Sequence, residues 1–348
     1  MGRLTKNSLF ELMNAFFTVF LPNQRCVSPN TLKAYKNAMN NYLDYISDST
    51  GKPLGKFDFC DFQQQNADAF FQWMKSVKQY SPSTINQKMA GIREFLSYAS
   101  SHNPELIVYL KAFSAIPFQK TDAWASIKYM SENAVNTILR QPDTSTHQGF
   151  RDFFYMVMLY DTAARVDEMK KICICDVHLA GTPTVILHGK GNKTRIVPLM
   201  ENTILNYKKY KFLYHPDETA YSKLPLFYTK RNGSISEMSD DNVRRFMNKY
   251  GTMARAECLE VPENIYPHLW RHSRAMHLYQ HGMDLTLISQ WLGHSSLETT
   301  LVYAHADTEK KRKAINKAME NTSIATPDAA LFKVDNDEEL LKKLCGLK

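Results

Sequence analysis

Thr184-Val185-Ile186-Leu187 and Arg195-Ile196-Val197-Pro198-Leu199 stand on either side of a Gly-Lys-Gly-Asn stretch, Gly189 to Asn192. Two β-branched runs flanking such a turn predict an antiparallel hairpin. It is the clearest strand signal in a chain whose other periodic segments repeat at about 3.6 residues. That contrast confines the chain to a mainly α fold with a small antiparallel β-sheet.

The first 115 residues read as a bundle of four or five helices. Ser28-Pro29-Asn30-Thr31 opens a helix with apolar positions at Leu32, Tyr35, Met39, Tyr42, Leu43 and Ile46, and Ser81-Pro82-Ser83-Thr84 opens a second with Ile85, Met89, Ile92, Phe95 and Leu96. Ser with Pro next to it is a helix-start signal. Asn66 to Val77 supplies a shorter helix between them, and Ser8-x-x-Glu11 is a capping box for an amphipathic first helix near Asn7. Periodicity lapses over 116–128, the expected linker. A second domain over 129–308 contains a long apolar helical run from Thr146 to Ile172, the hairpin, and further helices to about Glu320. A polar segment, 309–348, ends in the short amphipathic Glu338-Glu339-Leu340-Leu341-Lys342-Lys343-Leu344.

Composition narrows the class. The 348 residues carry 43 Lys+Arg against 35 Asp+Glu, a formal charge of +8, and hydrophobic residues make up 44%. This is a globular composition with a mild cationic surplus spread along the chain, a weak vote for a polyanionic partner. No apolar stretch is long enough to span a bilayer, and none reads as a signal peptide. The six scattered cysteines read as reduced thiols of a cytoplasmic protein.

Four segments could carry chemistry. Arg165 and Glu168 lie at i, i+3, on one helix face; alone they would be a surface ion pair. Lys190 lies between two glycines, where backbone or phosphate can come close; alone it would be a solubilising turn lysine. His268 and Arg271 lie at i, i+3 behind Pro267, near a helix N-terminus that favours anions. His294 follows Gly293, a helix stop, and Ser295-x-x-Glu298 starts the next helix with Tyr303 two turns along. Two arginines, a lysine, two histidines and a tyrosine suit one task, phosphodiester cleavage with cations where a metal would otherwise stand. No metal-ligand cluster, phosphate loop or nucleophile elbow competes.

At these residues the sequence resembles the tyrosine recombinase (phage integrase) family. The motifs are Ala163-Ala164-Arg165-Val166-Asp167-Glu168-Met169, the hairpin from His188 to Leu199, His268-Leu269-Trp270-Arg271-His272, and Leu292 to Tyr303. Order and spacing match the family's Arg…Lys…His-x-x-Arg…His…Tyr pattern. The resemblance implies Tyr303 as nucleophile forming a 3′-phosphotyrosyl link, Arg165 and Arg271 on the non-bridging oxygens, and Lys190 as general acid, with Lys193 its rival. It further implies His268 accepting or sharing the tyrosine proton, His294 bonding the phosphate, and Glu168 supporting the pocket. Two departures touch packing: Ala163-Ala164 where the family often has Thr-Gly, and the bulky Trp270.

The resemblance extends more weakly to the helical first domain, as a core-binding domain. It implies a C-shaped clamp of two domains around double-stranded DNA, strand exchange through a Holliday junction without cofactor, metal or ATP, and a homotetramer built from a dimer on each site. Lys33, Lys36, Asn86, Lys88 and Arg93, read as lying on the polar faces of the two Ser-Pro helices, are candidate DNA contacts. The C-terminal segment would dock on a neighbouring protomer or fold back on its own domain. A mobile-element integrase is favoured over an invertase or a resolvase. A type IB topoisomerase-like activity and a non-catalytic DNA-binding regulator are the alternatives.

Overall fold

The computed structural model describes residues 8–121, 127–189, 191, 193–231, 233–294 and 296–306, with the single positions 312, 316 and 342. The chain divides into two compact units, Met1–Ala123 and Trp124–Lys348.

The first unit contains α1 (Ser8–Ala15), a π-helical turn over Phe16–Gln24 that includes Pro22, α2 (Pro29–Thr50), α3 (Gln64–Ser76), α4 (Pro82–His102) and α5 (Ile107–Ala115). Both Ser-Pro signals work as expected. Ser28 Oγ accepts from the Thr31 amide at 3.2 Å and Ser81 Oγ from the Thr84 amide at 3.3 Å, and Pro29 and Pro82 occupy the first helical turn. The capping box at Ser8 involves a side chain outside the described residues. The apolar face of α2 meets that of α4 closely at Gly91. A Cβ there would stand 3.1 Å from the Tyr35 ring and 3.2 Å from the Ala38 Cβ, so glycine sets the spacing of the two helices. Tyr42, Phe62, Phe70, Phe95 and Phe113 fill the core beneath them.

The second unit begins with α6 (Glu132–Arg140), α7 (His147–Thr162) and α8 (Val166–Lys171). Next come β1 (Val177–His178), β2 (Thr184–His188) and β3 (Thr194–Pro198). The unit continues with α9 (Glu201–Tyr214), β4 (Tyr228–Arg231), β5 (Ser234–Glu237), α10 (Asp240–Glu257), α11 (Pro267–Gln280), α12 (Leu285–Leu292) and α13 (Glu298–Ala306). The expected hairpin is β2–β3, antiparallel with Ile186 opposite Ile196, and β1 adds a third strand on β2. Trp270 is wholly buried in the main core, its ring 6.3 Å from that of Tyr160 in edge contact, so the bulky side chain is an element of packing.

The structure departs from the sequence reading at the α7–α8 run and at a second hairpin. The run from Thr146 to Ile172 is two helices, because Ala163 adopts φ +49° and turns the chain between α7 and α8. Arg165 is consequently the residue before α8, with Glu168 in its first turn. A second hairpin, β4–β5, was not anticipated; β5 is exposed, β4 is half-buried at Tyr228 and Thr229, and neither strand shows a clear apolar alternation. The last described helix ends at Ala306, and the expectations for the C-terminal segment, Ser295 and Lys190 lie outside the described residues.

Candidate active site

The break at Ala163 organises the site. Thr162 Oγ1 accepts from the Ala164 amide at 3.3 Å, and the turn aims the Ala163 carbonyl at two guanidinium groups. Arg271 Nη1 donates to it at 2.7 Å and Arg195 Nη2 at 3.3 Å. Glu168 ties the other side together. Its Oε2 accepts from the Arg165 amide at 2.8 Å and from Arg195 Nη2 at 2.8 Å, and its Oε1 from Arg165 Nη1 at 2.9 Å. Arg165, Glu168, Arg195, the Ala163 carbonyl and Arg271 therefore form one connected chain of bonds. Burial would raise the Glu168 carboxyl pKa, but Arg195 and Arg165 outweigh it and hold the group below the usual carboxylate range. Three guanidiniums against one carboxylate leave a surplus of two positive charges, which favours an anion.

Arg195 lies within the hairpin motif, which by itself marks no role for it. It stands on β3, and Arg195 Nη1 also donates to the Trp291 carbonyl next to the α12 terminus. Its aliphatic stem passes under Gly293, where a Cβ would lie 2.7 Å from Arg195 Cδ and where φ is +62°. Gly293 is thus demanded twice, by backbone conformation and by contact. Only the tertiary fold brings β3 beneath this turn, so no local signal marked Arg195.

Pro267 opens α11, which presents His268, Arg271 and His272. Arg271 is only 3% exposed, and its second bond, from Nη2, goes to the Leu292 carbonyl at 2.5 Å. Burial, with the Arg165 and Arg195 charges, pushes its pKa down to about 9, so it stays protonated at neutral pH. Burial and the same kind of field, from Arg271 and Arg165, lower the pKa of His268.

His294 follows Gly293 and bonds through Nδ1 to Thr300 Oγ1 at 2.8 Å, leaving Nε2 free of that contact. Thr300 is wholly buried. Burial, Arg271, Arg165 and Arg195 bring the His294 pKa down to about 4. Tyr303 on α13 is 1% exposed, packed against Ala163, Ala275, Ile288 and Leu292. Burial raises its phenol pKa to about 12 even though Arg271 and Arg165 pull it down. The hydroxyl that the sequence reading paired with His268 sits instead on His272 Nδ1, at 3.0 Å. His272 was visible only as the residue after the His-x-x-Arg motif.

A cavity of about 680 Å³ opens beside these groups, lined by Arg165, Glu168, Gly189, Lys193, Arg195 and His294 among others. Lys193 is thus at the site. Among the described residues no group of His, Cys, Asp and Glu side chains could hold a metal ion.

The candidate DNA contacts of the first unit divide. Lys33 and Lys36 are exposed on α2. Lys88 is 7% exposed, with Nζ donating to Asn37 Oδ1 at 2.8 Å and lying over the Tyr80 ring. Arg93 donates to the Phe113 carbonyl at 3.0 Å and to that of Ile116, and stacks on Phe118. Asn86 donates to the Gln119 carbonyl at 2.9 Å and accepts from its amide at 2.8 Å. The polar faces expected for α4 are therefore partly spent on holding α2 and the stretch after α5, because side chains at the helix crossing find internal partners first.

The phage integrase family model matches residues 128–310, more than half of the chain. The chain belongs to the phage integrase family. The family's N-terminal SAM-like domain model matches residues 15–103. A putative integrase/recombinase, y4rC, of Sinorhizobium fredii is 26% identical over 339 residues, covering 96% of this chain and 98% of that protein. The tyrosine recombinase XerD of Staphylococcus epidermidis is 26% identical over 306 residues, covering 84% of this chain and 94% of that protein. Among solved structures, the Tn1549 transposon integrase in complex with transposon right end DNA superimposes with a TM-score of 0.63 at 16% identity, over 90% of this chain and 99% of that one. XerH recombinase bound to difH reaches 0.62 at 21%, over 82% and 79%. Both share the fold. As a phage integrase family member the protein is a tyrosine recombinase, an enzyme of DNA strand cleavage and rejoining. No helix among the described residues is long and apolar enough to cross a membrane.

Proposed function

We propose that this protein recombines double-stranded DNA at specific sites, cutting and resealing strands by transesterification. Tyr303 attacks the scissile phosphate, leaving a 3′-phosphotyrosyl link and a 5′-hydroxyl. Arg165 and Arg271 hold the non-bridging oxygens, Glu168 fixes Arg165, and His294 donates a hydrogen bond to the phosphate. His268 shares the tyrosine proton, one helical turn from the ring that touches the hydroxyl. Lys190 protonates the leaving oxygen, with Lys193 as its rival. The phosphotyrosyl bond conserves the energy of the cut, so neither metal nor ATP is required, and a partner strand's 5′-hydroxyl reverses the step. Exchange between two duplexes takes four such sites, hence a homotetramer passing through a Holliday junction.

One observation carries this reading: the bonded series from Arg165 through Glu168, Arg195 and Ala163 to Arg271 leaves two uncompensated positive charges on the site whose field reaches the Tyr303 phenol. A pool of nicked duplexes with a randomised core tests it, because the nick lets the short cleaved piece leave and traps the adduct. Wild type should form a covalent protein–DNA adduct and Tyr303→Phe none; no adduct from any duplex in the pool overturns the reading. The reading kept here is a mobile-element integrase rather than an invertase or a resolvase. Leu340, Leu341 and Leu344 would dock the C-terminal segment on a neighbouring protomer. Removing 329–348 should then leave DNA binding intact and impair tetramer assembly, and unchanged recombination would refute the docking.

A further inference from the structure

The phenol of Tyr303 meets His272, and the consequence is chemical. A phenol attacking phosphorus must shed its proton as the new bond forms, because a protonated ether oxygen on phosphorus is strongly disfavoured. Whatever accepts that proton must touch the hydroxyl. Among the described side chains bonded to Tyr303 Oη is the imidazole of His272, Nδ1 to Oη at 3.0 Å. The contact is enclosed: Tyr303 is 1% exposed and His272 is half-buried, so bulk water does not stand in for the imidazole. His268 is one helical turn away, its ring centroid 6.3 Å from that of His272.

From this geometry we infer that His272 is the general base for Tyr303 in cleavage and the general acid that returns the proton in rejoining. The inference rests on the recombinase reading above. The step balances. Tyr303 Oη forms the bond to phosphorus, the bond from phosphorus to the 5′ oxygen breaks, the phenol proton passes to His272 Nδ1, and the lysine acid supplies a proton to the 5′ oxygen. In reverse, the 5′-hydroxyl attacks, and the imidazolium of His272 protonates the departing phenolate.

The surroundings suit this cycle. The charged and titratable groups facing His272 are His268 and Arg271 on its own helix, Tyr303 on α13 and His294 in the turn before it. Burial, then His268 and Arg271, lower its pKa to about 4, so the imidazole is neutral and able to accept throughout the neutral range. The bound phosphate and the negative charge developing on it stabilise the imidazolium once the proton moves. A neutral ring that accepts at Nδ1 carries its hydrogen on Nε2.

The test uses the full chain and the duplex that wild type captures best from the randomised nicked pool. Adduct formation by wild type upholds the recombinase reading independently of His272. His272→Gln keeps size and hydrogen bonding but cannot take a proton; His272→Asn is the second variant should glutamine not fit. Duplex binding by mobility shift checks that each variant folds. The expected result is adduct formation slowed by about 10²- to 10⁴-fold at pH 7. The residual rate should climb about tenfold per pH unit from 7 to 9, since only ionised phenol then attacks, while wild type stays nearly flat. A substrate with sulfur in place of the bridging 5′ oxygen has a leaving group that needs no proton. It should restore a Lys190→Ala variant and leave the His272 variants slow. A loss under tenfold, a wild-type pH profile, or restoration of His272→Gln by the sulfur substrate overturns the assignment.

Discussion

Arg271 Nη1 donates to the Ala163 carbonyl at 2.7 Å, and Ala163 can present that carbonyl because its φ is +49°. An alanine in the left-handed region costs about 1–2 kcal/mol, a strain retained because the turn holds two guanidiniums at once. Ala163→Gly should relieve it, for a net gain of up to about 1 kcal/mol after the entropy of the unfolded chain is charged. Ala163→Val adds a branched side chain at a wholly buried position in the wrong backbone region, and should lose about 2 kcal/mol or more. Denaturant unfolding of the two variants measures both; a more stable Val variant would contradict the account.

Arg195 binds Glu168, the Ala163 carbonyl and the Trp291 carbonyl, so it links β3 to both turns that carry reacting groups. Replacing it with alanine leaves Glu168 to Arg165 alone. We expect a stability loss of about 2–3 kcal/mol, in the range for a hydrogen bond to a charged group. Arg195→Lys should recover part of it, because an ammonium cannot span three acceptors in one plane. In a double-mutant cycle with Glu168→Gln the two sites should couple by about 1 kcal/mol or more. Strict additivity would show that the pair is incidental.

Acid should weaken the second unit. His268, His272 and His294 all have pKa values lowered in the folded protein, the last two to about 4. A histidine depressed on folding contributes stability that is fully present above its unfolded pKa, near 6.5, and is lost as pH falls through the folded value. The thermal midpoint should thus drop between pH 6.5 and pH 4. His294→Asn should flatten part of that fall. A midpoint independent of pH across the window would contradict the burial of these rings.

Salt dependence separates the candidate contacts of the first unit. Each phosphate contact removed lowers the slope of log affinity against log salt by about 0.9. Lys33→Ala and Lys36→Ala should each do so if the exposed face of α2 meets DNA. Lys88→Met should leave the slope as it is, because Nζ is committed to Asn37 and the Tyr80 ring. A slope change for Lys88 as large as for Lys33 would show that the internal bond yields to phosphate.

Much of this was legible beforehand. The Ser-Pro helix starts, the β2–β3 hairpin and the Gly293 stop are local signals, set by backbone propensities and caps within a few residues, and they appear where the patterns place them. The motif arginines, histidines and tyrosine were legible as a set because their spacing matches a family. The β4–β5 hairpin escaped because its strands carry no apolar alternation, and the break at Ala163 escaped because alanine favours helix.

Sequence by itself determined which residue types are present for the chemistry and which segments become helix or strand, since those depend on near neighbours. Tertiary structure alone decided that Arg195 joins the arginine pair, that Lys88 turns inward, and that His272 meets the phenol. Those contacts join positions 27 to 51 residues apart, and packing, which no local pattern encodes, selects among side chains that are equivalent along the chain.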